Sequence, residues 1–227
     1  MTVSPGSGAL VERQVPPLQR RDTRGSAVMA PQAKIFAAGQ KPDQNRYLVV
    51  SPYTEQEHLL DLESLSVENL LLALSLTKMK CLREDYATAP YTETFNWDEI
   101  MATLRMLARK MNHVWNETSF FAVAFRSQIP PTTVYAELGT LDKAAHSEAT
   151  ASGGFLKYWF GTPDTEGHNL ATCIWRSQED ARRGGVGPAH RKAAGAARSL
   201  YSFWKIERYR LTIGDGIKSW AITEWTD

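Results

Sequence analysis

The stretch NLATCIWRSQEDARRGGVGPAHRKA, residues 169–193, decides the fold because it holds a complete strand-to-helix unit. Its first part is apolar and rich in strand-forming residues, which predicts a buried strand over residues 170–176. Ser177 can cap a following helix that has Asp180 in its first turn. A glycine-rich break comes next, and Pro188 suits the first turn of a second helix. The stretch therefore predicts a strand followed at once by helical segments.

The elements on both sides of this stretch complete a known order. Before it, the patterns predict a strand over 119–129, a helix over 141–152 and a strand over 155–162. After the helix at 188–199 they predict a long strand over 203–213 and a last strand over 217–225. The order β-α-β-β-α-β is that of a ferredoxin-like unit, an antiparallel sheet with helices on one face. The predicted fold class is therefore α+β, with one additional strand at the end.

The sequence before this unit divides into two parts. Residues 1–44 are rich in Gly, Pro, Ser, Gln and Arg without any period, which predicts disorder. Residues 45–227 form a single predicted α+β domain, made of 45–118 and the ferredoxin-like unit at 119–227. The segment 45–118 contains a predicted strand and two helices, which begin at Ser66 and Asn96. These helices can cover the face of the sheet that the unit's own helices leave open.

Charge and composition exclude several classes of function. The chain carries 26 basic and 25 acidic residues, a net charge of +1, so neither nucleic acid nor an anionic membrane is a predicted partner. The longest apolar run has six residues, far below the roughly 20 that span a bilayer. The N-terminus lacks the apolar region of a secretory signal, which predicts a cytoplasmic protein. The two cysteines have no metal-binding spacing, so no metal site is predicted.

The residues CIWRSQEDA and GPAH, within 173–190, resemble the strand–helix signature of dimeric α+β barrel proteins, the group with antibiotic-biosynthesis monooxygenase-like domains. In that signature a strand ends on Trp and a polar residue, an acidic helix start follows, and a Pro-x-His segment leads the next helix. The matching positions are Trp175, Arg176, Ser177, Glu179, Pro188 and His190. The resemblance covers roughly 119–213 and implies two units that pack face to face as a homodimer.

A closer resemblance extends over nearly the whole chain past residue 45. The stretches ENLLLALSLTKMKCLREDYATAPYTETFNW, SGGFLKYWFGTPD and NLATCIWRSQEDARRGG are similar to an uncharacterised fungal family. That family has no assigned reaction. The resemblance therefore implies a fungal source and a place near secondary-metabolite genes, but no chemistry.

Three residues are candidates for catalysis. His190 and His146 are candidate general bases, because imidazole is largely neutral at pH 7 and can accept a proton. Arg176 is a candidate for stabilising the anion that proton removal leaves. Either histidine can instead be a packing or surface residue, and a haem ligand is a further alternative for histidine in this fold.

The candidate ligand-binding residues are aromatic. They are Trp175, Tyr158, Trp159 and Tyr209. Because side chains alternate along a strand, Tyr158 and Trp159 should face opposite sides of the sheet. Tyr209 and Glu207 should likewise share one side, with Arg208 on the other. Each of these rings can also be a core residue, and Glu207 and Tyr209 can lie on a solvated strand face.

These residues predict an enzyme that needs no cofactor and acts on an aromatic or polyketide-like small molecule in an apolar pocket. The group hosts several reactions, and fold alone does not choose among them. The alternative is a non-catalytic protein that binds a small ligand or a partner, since no dense catalytic motif is present. A homodimer follows from the resemblance, whereas helices that cover the sheet would leave a monomer.

Overall fold

The computed structural model describes residues 46–226, so the predicted disorder of residues 1–44 lies outside the described part. The strands of this part are β1 (Tyr47–Val49), β2 (Leu59–Asp61), β3 (Thr118–Gln128), β4 (Phe155–Phe160), β5 (His168–Trp175), β6 (Phe203–Ile213) and β7 (Trp220–Glu224). Its α-helices are α1 (Val67–Leu76), α2 (Tyr91–Thr94), α3 (Trp97–Lys110), α4 (Tyr135–Ser152), α5 (Gln178–Gly184) and α6 (Pro188–Leu200).

Five strands form one antiparallel sheet in the order β4-β5-β3-β6-β7. The first four have the order of a ferredoxin-like unit, and β7 adds one edge strand beside β6. The predicted α+β, ferredoxin-like fold with an extra C-terminal strand is therefore confirmed. β1 and β2 form a separate two-stranded sheet.

The helices α4 and α5 cover one face of the large sheet. Tyr158 of β4 donates a hydrogen bond to Asp142 of α4. Trp175, the last residue of β5, lies under Gly184 of α5, where a Cβ atom would come within 2.3 Å of its ring. The side chain of Trp175 fills the space under α5. This space is open only because Gly184 has no side chain.

The segment between α1 and α3 lies over the opposite face of the sheet. Tyr91 is buried and its hydroxyl is 2.8 Å from the hydroxyl of Thr172 in β5. Its ring stacks on Tyr209 of β6 at 4.7 Å, and Phe95 packs against Trp159 of β4. Aromatic pairs of this kind add to the free energy of burial. The chain therefore buries this sheet face under its own N-terminal residues.

Two predicted starts differ from the structure by three residues or more. α4 begins at Tyr135, six residues before the predicted start. The sequence pattern does not predict these first turns because they are only weakly amphipathic and contain Gly139. β7 begins at Trp220 and not at Ile217, since residues 215–217 form a 3-10 turn in which Ile217 has a φ of +58°. No helix within residues 46–226 is long and apolar enough to cross a membrane.

The helix caps were predicted with mixed success. The hydroxyl of Ser177 accepts a hydrogen bond from the backbone N–H of Asp180, so this cap is confirmed. Asn96 precedes α3 as predicted, but its side chain makes no capping bond. Its amide instead bonds the backbone of Lys78 and Lys80. Asn96 therefore fastens the segment after α1 to the start of α3.

Candidate functional site

The carboxylate of Asp142 on α4 is the centre of a polar cluster between α4 and the edge of the sheet. Tyr158 of β4 donates to one carboxylate oxygen and Tyr53 donates to the other, both at 2.5 Å. Both phenols and the carboxylate are half-buried, so the cluster reaches the surface. Hydrogen bonds to a charged acceptor are stronger than neutral ones, and two of them fix the position of Asp142.

Two buried histidines lie beside this carboxylate. The Nδ1 atoms of His58 and His146 are 2.9 Å apart, and the two residues are 1% and 4% exposed. Asp142 and His146 are four residues apart on α4 and so share one face of the helix. We call the set Tyr53, His58, Asp142, His146 and Tyr158 the Asp142 site.

The neighbours of this histidine pair assign its tautomers. The hydroxyl of Thr150 donates its hydrogen to the backbone carbonyl of His146. The Thr150 oxygen lies 3.4 Å from Nδ1 of His146 and can therefore only accept from this nitrogen, which favours a proton on Nδ1. Nε2 of His58 lies 4.0 Å from a carboxylate oxygen of Glu57, which favours a proton there. His146 therefore donates from Nδ1 to His58, and its Nε2 carries a lone pair. That Nε2 atom is buried without a hydrogen-bond partner.

Burial controls the charge of this site. It lowers the pKa of His58, and with the neighbouring His58 it lowers the pKa of His146 to about 3. Both rings are therefore neutral at pH 7. Burial also raises the pKa of Asp142, although the two phenol bonds act in the opposite direction. Burial and the charge of Asp142 raise the pKa of Tyr158, which keeps this phenol protonated.

His190 forms a second pair with Glu148 on the same side of the sheet. Its Nδ1 lies 2.8 Å from a carboxylate oxygen of Glu148 in α4. The same carboxylate accepts the backbone N–H of Ala189 at 2.8 Å and so caps α6. A Cβ on Gly187 would overlap the Glu148 carboxylate, so the glycine leaves the room that this carboxylate occupies. A carboxylate on Nδ1 leaves Nε2 of a neutral imidazole as a proton acceptor.

His190 is also electrostatically linked to the Asp142 site. A positive charge on His190 acts to lower the pKa of Asp142, so the two groups lie within range of each other. The side chain of His190 is 27% exposed and can be reached from solvent. The predicted residues His190, His146 and Tyr158 therefore lie in one region, grouped around α4.

Arg176 and Trp175 have structural partners instead. The guanidinium of Arg176 donates twice to Asp180 of α5, at 2.7 and 2.8 Å, and Asp180 is buried. The indole N–H of Trp175 donates to the sulfur of Cys173, and its ring packs on Phe155. The structure thus places both residues at the junction of β5 and α5, where they hold the helix on the sheet.

Trp159 and Tyr209 lie on the opposite face of the sheet from the Asp142 site. Trp159 packs between Tyr86 and Phe95. Tyr209 lines a cleft of about 600 Å³ between β6 and the segment 87–92, together with Arg126, Lys205 and Glu207. The four aromatic candidates are therefore divided between two faces, as the alternation along the strands predicts for Tyr158 and Trp159.

Four residues of the region were not predicted: Tyr53, His58, Asp142 and Glu148. Asp142 had a detectable signal, since it is four residues before His146 in a predicted helix. Glu148 belongs to the same helix but points at α6, a contact without a local sequence signature. Tyr53 and His58 are about 90 residues away from their partners, and only the tertiary structure brings them together.

A haem does not fit the residues that are present. His146 is enclosed by the rings of Tyr53, Phe155 and Tyr158, whose centroids lie 5.1 to 5.4 Å from its own, and a macrocycle has no room there. His190 lies beside Glu148 and the exposed Arg191, whereas a haem needs an extensive apolar pocket. Within residues 46–226, no group of three or more His, Cys, Asp or Glu side chains is arranged to hold a metal ion.

Fold and site define an α+β protein with a ferredoxin-like sheet and a polar cluster under its helices. Comparison of sequences shows which family this is: the chain belongs to the PB2B2.08-like family, which matches residues 49–224. A relative from the fission yeast Schizosaccharomyces pombe, the UPF0643 protein PB2B2.08, is 41% identical over 187 residues. The alignment covers 79% of this chain and 85% of that relative. The predicted membership of an uncharacterised fungal family is confirmed.

Solved structures show the likeness of the fold. SnoaB, a cofactor-independent oxygenase from Streptomyces nogalater, is similar at 16% identity and a TM-score of 0.35, over 39% of this chain and 89% of that one. A Caulobacter crescentus structure assigned to the antibiotic biosynthesis monooxygenases is 18% identical, with a TM-score of 0.36 over 40% of this chain and 88% of that one.

Proposed function

We propose that this protein is a cofactor-independent enzyme that transfers a proton on a small aromatic or polyketide-like molecule at the Asp142 site. The observation that carries the proposal is the hydrogen-bonded His190–Glu148 pair, which lies within electrostatic range of a carboxylate held by two phenols on the same helix α4. General acid–base catalysis requires an oriented base and an acid with a suitable pKa, and here an oriented imidazole lies within electrostatic range of a carboxyl whose pKa burial raises.

The proposed step has two partners in the protein. A proton leaves an acidic C–H or O–H bond of the substrate for Nε2 of His190, and the electron pair stays on the substrate as an enolate or phenolate. Glu148 holds the ring and stabilises the imidazolium that forms. At rest Asp142 accepts from both phenols; in the proposed step it acts in its protonated form, which burial favours, and donates to the substrate oxygen on which the charge develops, while Tyr158 holds it in place.

Other parts of the proposal rest on the resemblance and on the sequence analysis. These are the role in fungal secondary metabolism and the cytoplasmic location. A substrate without a carboxylate or phosphate suits the site, because the carboxylate of Glu148 would repel an anion.

The experiment is exchange of acidic hydrogens for deuterium in D₂O, measured by NMR on a panel of naphthols and aryl ketones. Proton abstraction at carbon incorporates deuterium whatever later step the enzyme performs. We expect at least one compound to exchange faster with the protein than in buffer, and His190→Gln to lose at least a hundredfold of that acceleration. His168→Gln, at the start of β5 with its side chain 28% exposed, is the matched control.

Binding without catalysis is the second candidate, favoured by the cleft beside Tyr209 on the other face of the sheet. Its volume is in the range of small-molecule sites. A compound that binds the protein but shows no faster exchange, with binding reduced by Tyr209→Ala and not by His190→Gln, would support this candidate and overturn the first.

A further inference from the structure

Residues 51–58 form the loop of a hairpin that lies directly on the Asp142 site. The flanking strands β1 and β2 pair from Tyr47 with Asp61 to Val49 with Leu59, which anchors the loop at both ends. Arg46 and Asp61 close the base of the hairpin with an ion pair. We call residues 51–58 the strap.

Three side chains of the strap contact one stretch of α4. Tyr53 donates to Asp142, Glu55 pairs with Lys143, and His58 bonds His146. Because these partners lie at positions i, i+1 and i+4, the strap follows the helix over one turn. Among the described residues, no backbone hydrogen bond joins the strap to α4. The strap is therefore held by side chains alone and can leave α4 without breaking secondary structure.

The closed strap blocks the polar site. It supplies Tyr53 to one oxygen of Asp142 and buries both imidazoles almost completely. Pro52 and residues 54–57 are exposed, so the strap has little of its own surface buried. Loops with few buried contacts open with a low free energy.

We infer that the strap is a gate over the Asp142 site, and that the His58–His146 bond is the latch that holds it closed. The inference rests on the proposed function, because it names how a substrate reaches Asp142. An open strap frees one carboxylate oxygen of Asp142 and exposes His146, while the anchoring strands β1 and β2 stay paired.

The latch works only between neutral rings. A proton on Nδ1 of His58 removes the acceptor and breaks the bond, and a proton on Nε2 of His146 places a charge on a buried nitrogen that has no hydrogen-bond partner. The charged groups around His58 are Glu55 and Glu57 from the strap and Asp142 and Lys143 from α4. The three carboxylates favour a proton on His58, but burial outweighs them.

The sign of the pH dependence follows from these directions. Each imidazole has a lower pKa in the closed state than the roughly 6.5 of a free histidine. The closed state therefore keeps its full stability above that value and loses it as the pH falls. We expect the ratio of open to closed strap to rise by about tenfold per pH unit for each proton taken up.

Distance measurement between two spin labels tests the gate without any substrate. The labels are placed at Gln56→Cys on the strap and Ala144→Cys on α4, both exposed positions, in a chain with Cys81→Ser. At pH 7.5 we expect one short, narrow distance. At pH 5.5 we expect a longer, broad population to grow at least tenfold relative to the short one.

Two variants keep the test falsifiable. His146→Gln removes the latch and one of the two titrating rings, so the longer population should appear at both pH values with a weaker dependence on pH. His168→Gln should behave as the wild type. One unchanged distance in the wild type at both pH values would overturn the gate, as would a latch variant that keeps the wild-type pH response. A normal gate with no deuterium exchange would overturn only the proposed function.

Discussion

Arg126 of β3 and Glu207 of β6 form an ion pair at 2.8 Å, on the face of the sheet opposite the Asp142 site. Both side chains are largely buried. The same guanidinium donates to the carbonyls of Ala87 and Ala89, at 2.6 and 2.8 Å. The Arg126 side chain thus connects two strands with the N-terminal segment that covers them, and it holds this segment on the sheet.

Arg126→Gln should lower the free energy of unfolding by about 3 kcal/mol, because it leaves a buried carboxylate and two carbonyls without their donor. Urea denaturation measures this. Lys205→Gln is the matched control, since Lys205 bonds the same carboxylate at 3.0 Å but is 60% exposed. It should cost less than about 1 kcal/mol. Equal losses in the two variants would contradict the role given to Arg126.

Two glycines make a matched pair for testing the contact between β5 and α5. A Cβ at Gly184 would come within 2.3 Å of the Trp175 ring, whereas Gly195 in α6 has no atom within 4 Å of that position. Gly184→Ala should destabilise the protein by about 1 to 3 kcal/mol through overpacking. Gly195→Ala should stabilise it by about 0.5 to 1 kcal/mol through helix propensity. Thermal melting measures the stability of both variants. Melting temperatures that shift in the same direction would contradict this packing of α5 on β5.

Asp142→Ala should destabilise the protein by about 2 kcal/mol, because the Tyr53 and Tyr158 hydroxyls both lose their acceptor. Asp142→Asn should cost less, since its amide oxygen still accepts from one phenol. Both variants should lose deuterium exchange. Urea denaturation and the exchange assay are run on the same samples, and an active Asp142→Asn protein would exclude a proton on Asp142 from the mechanism.

The covered sheet face leads to a prediction about assembly. Phe120, Leu170 and Leu211 on that face are at most 2% exposed in the single chain. A face-to-face dimer would find these three residues already buried by its own chain. We therefore predict a native mass of 25.4 kDa, that of the monomer. A stable dimer whose interface contains these three residues would contradict the fold described for residues 46–115.

Much of this fold could be predicted from sequence because its strands and helices have strong local patterns. The long strand β6 was predicted with both its ends, since alternating residues stop at a glycine turn. The short strand β2 and helix α2 were missed, because three or four residues carry too little pattern. Their structure depends on contacts with β1 and with the sheet.

The site was harder to predict than the fold. His146 and Tyr158 were identified from residue type and strand alternation. Nothing local distinguishes His190 beside Glu148 from an ordinary helix-start histidine, and nothing places His58 next to His146. The pairing of Arg176 with Asp180 has a local signature, a spacing of four residues across a helix start, which could have indicated a structural ion pair.

The most direct test of the central claim is the rate of deuterium incorporation into the most reactive compound of the panel, compared between the wild type and His190→Gln at pH 7. An oriented imidazole base predicts that the wild type accelerates the exchange and that His190→Gln reduces the acceleration by at least a hundredfold. Equal rates in the two proteins would show that His190 is not the base, and no acceleration by the wild type with any compound would contradict proton transfer as the function of this site.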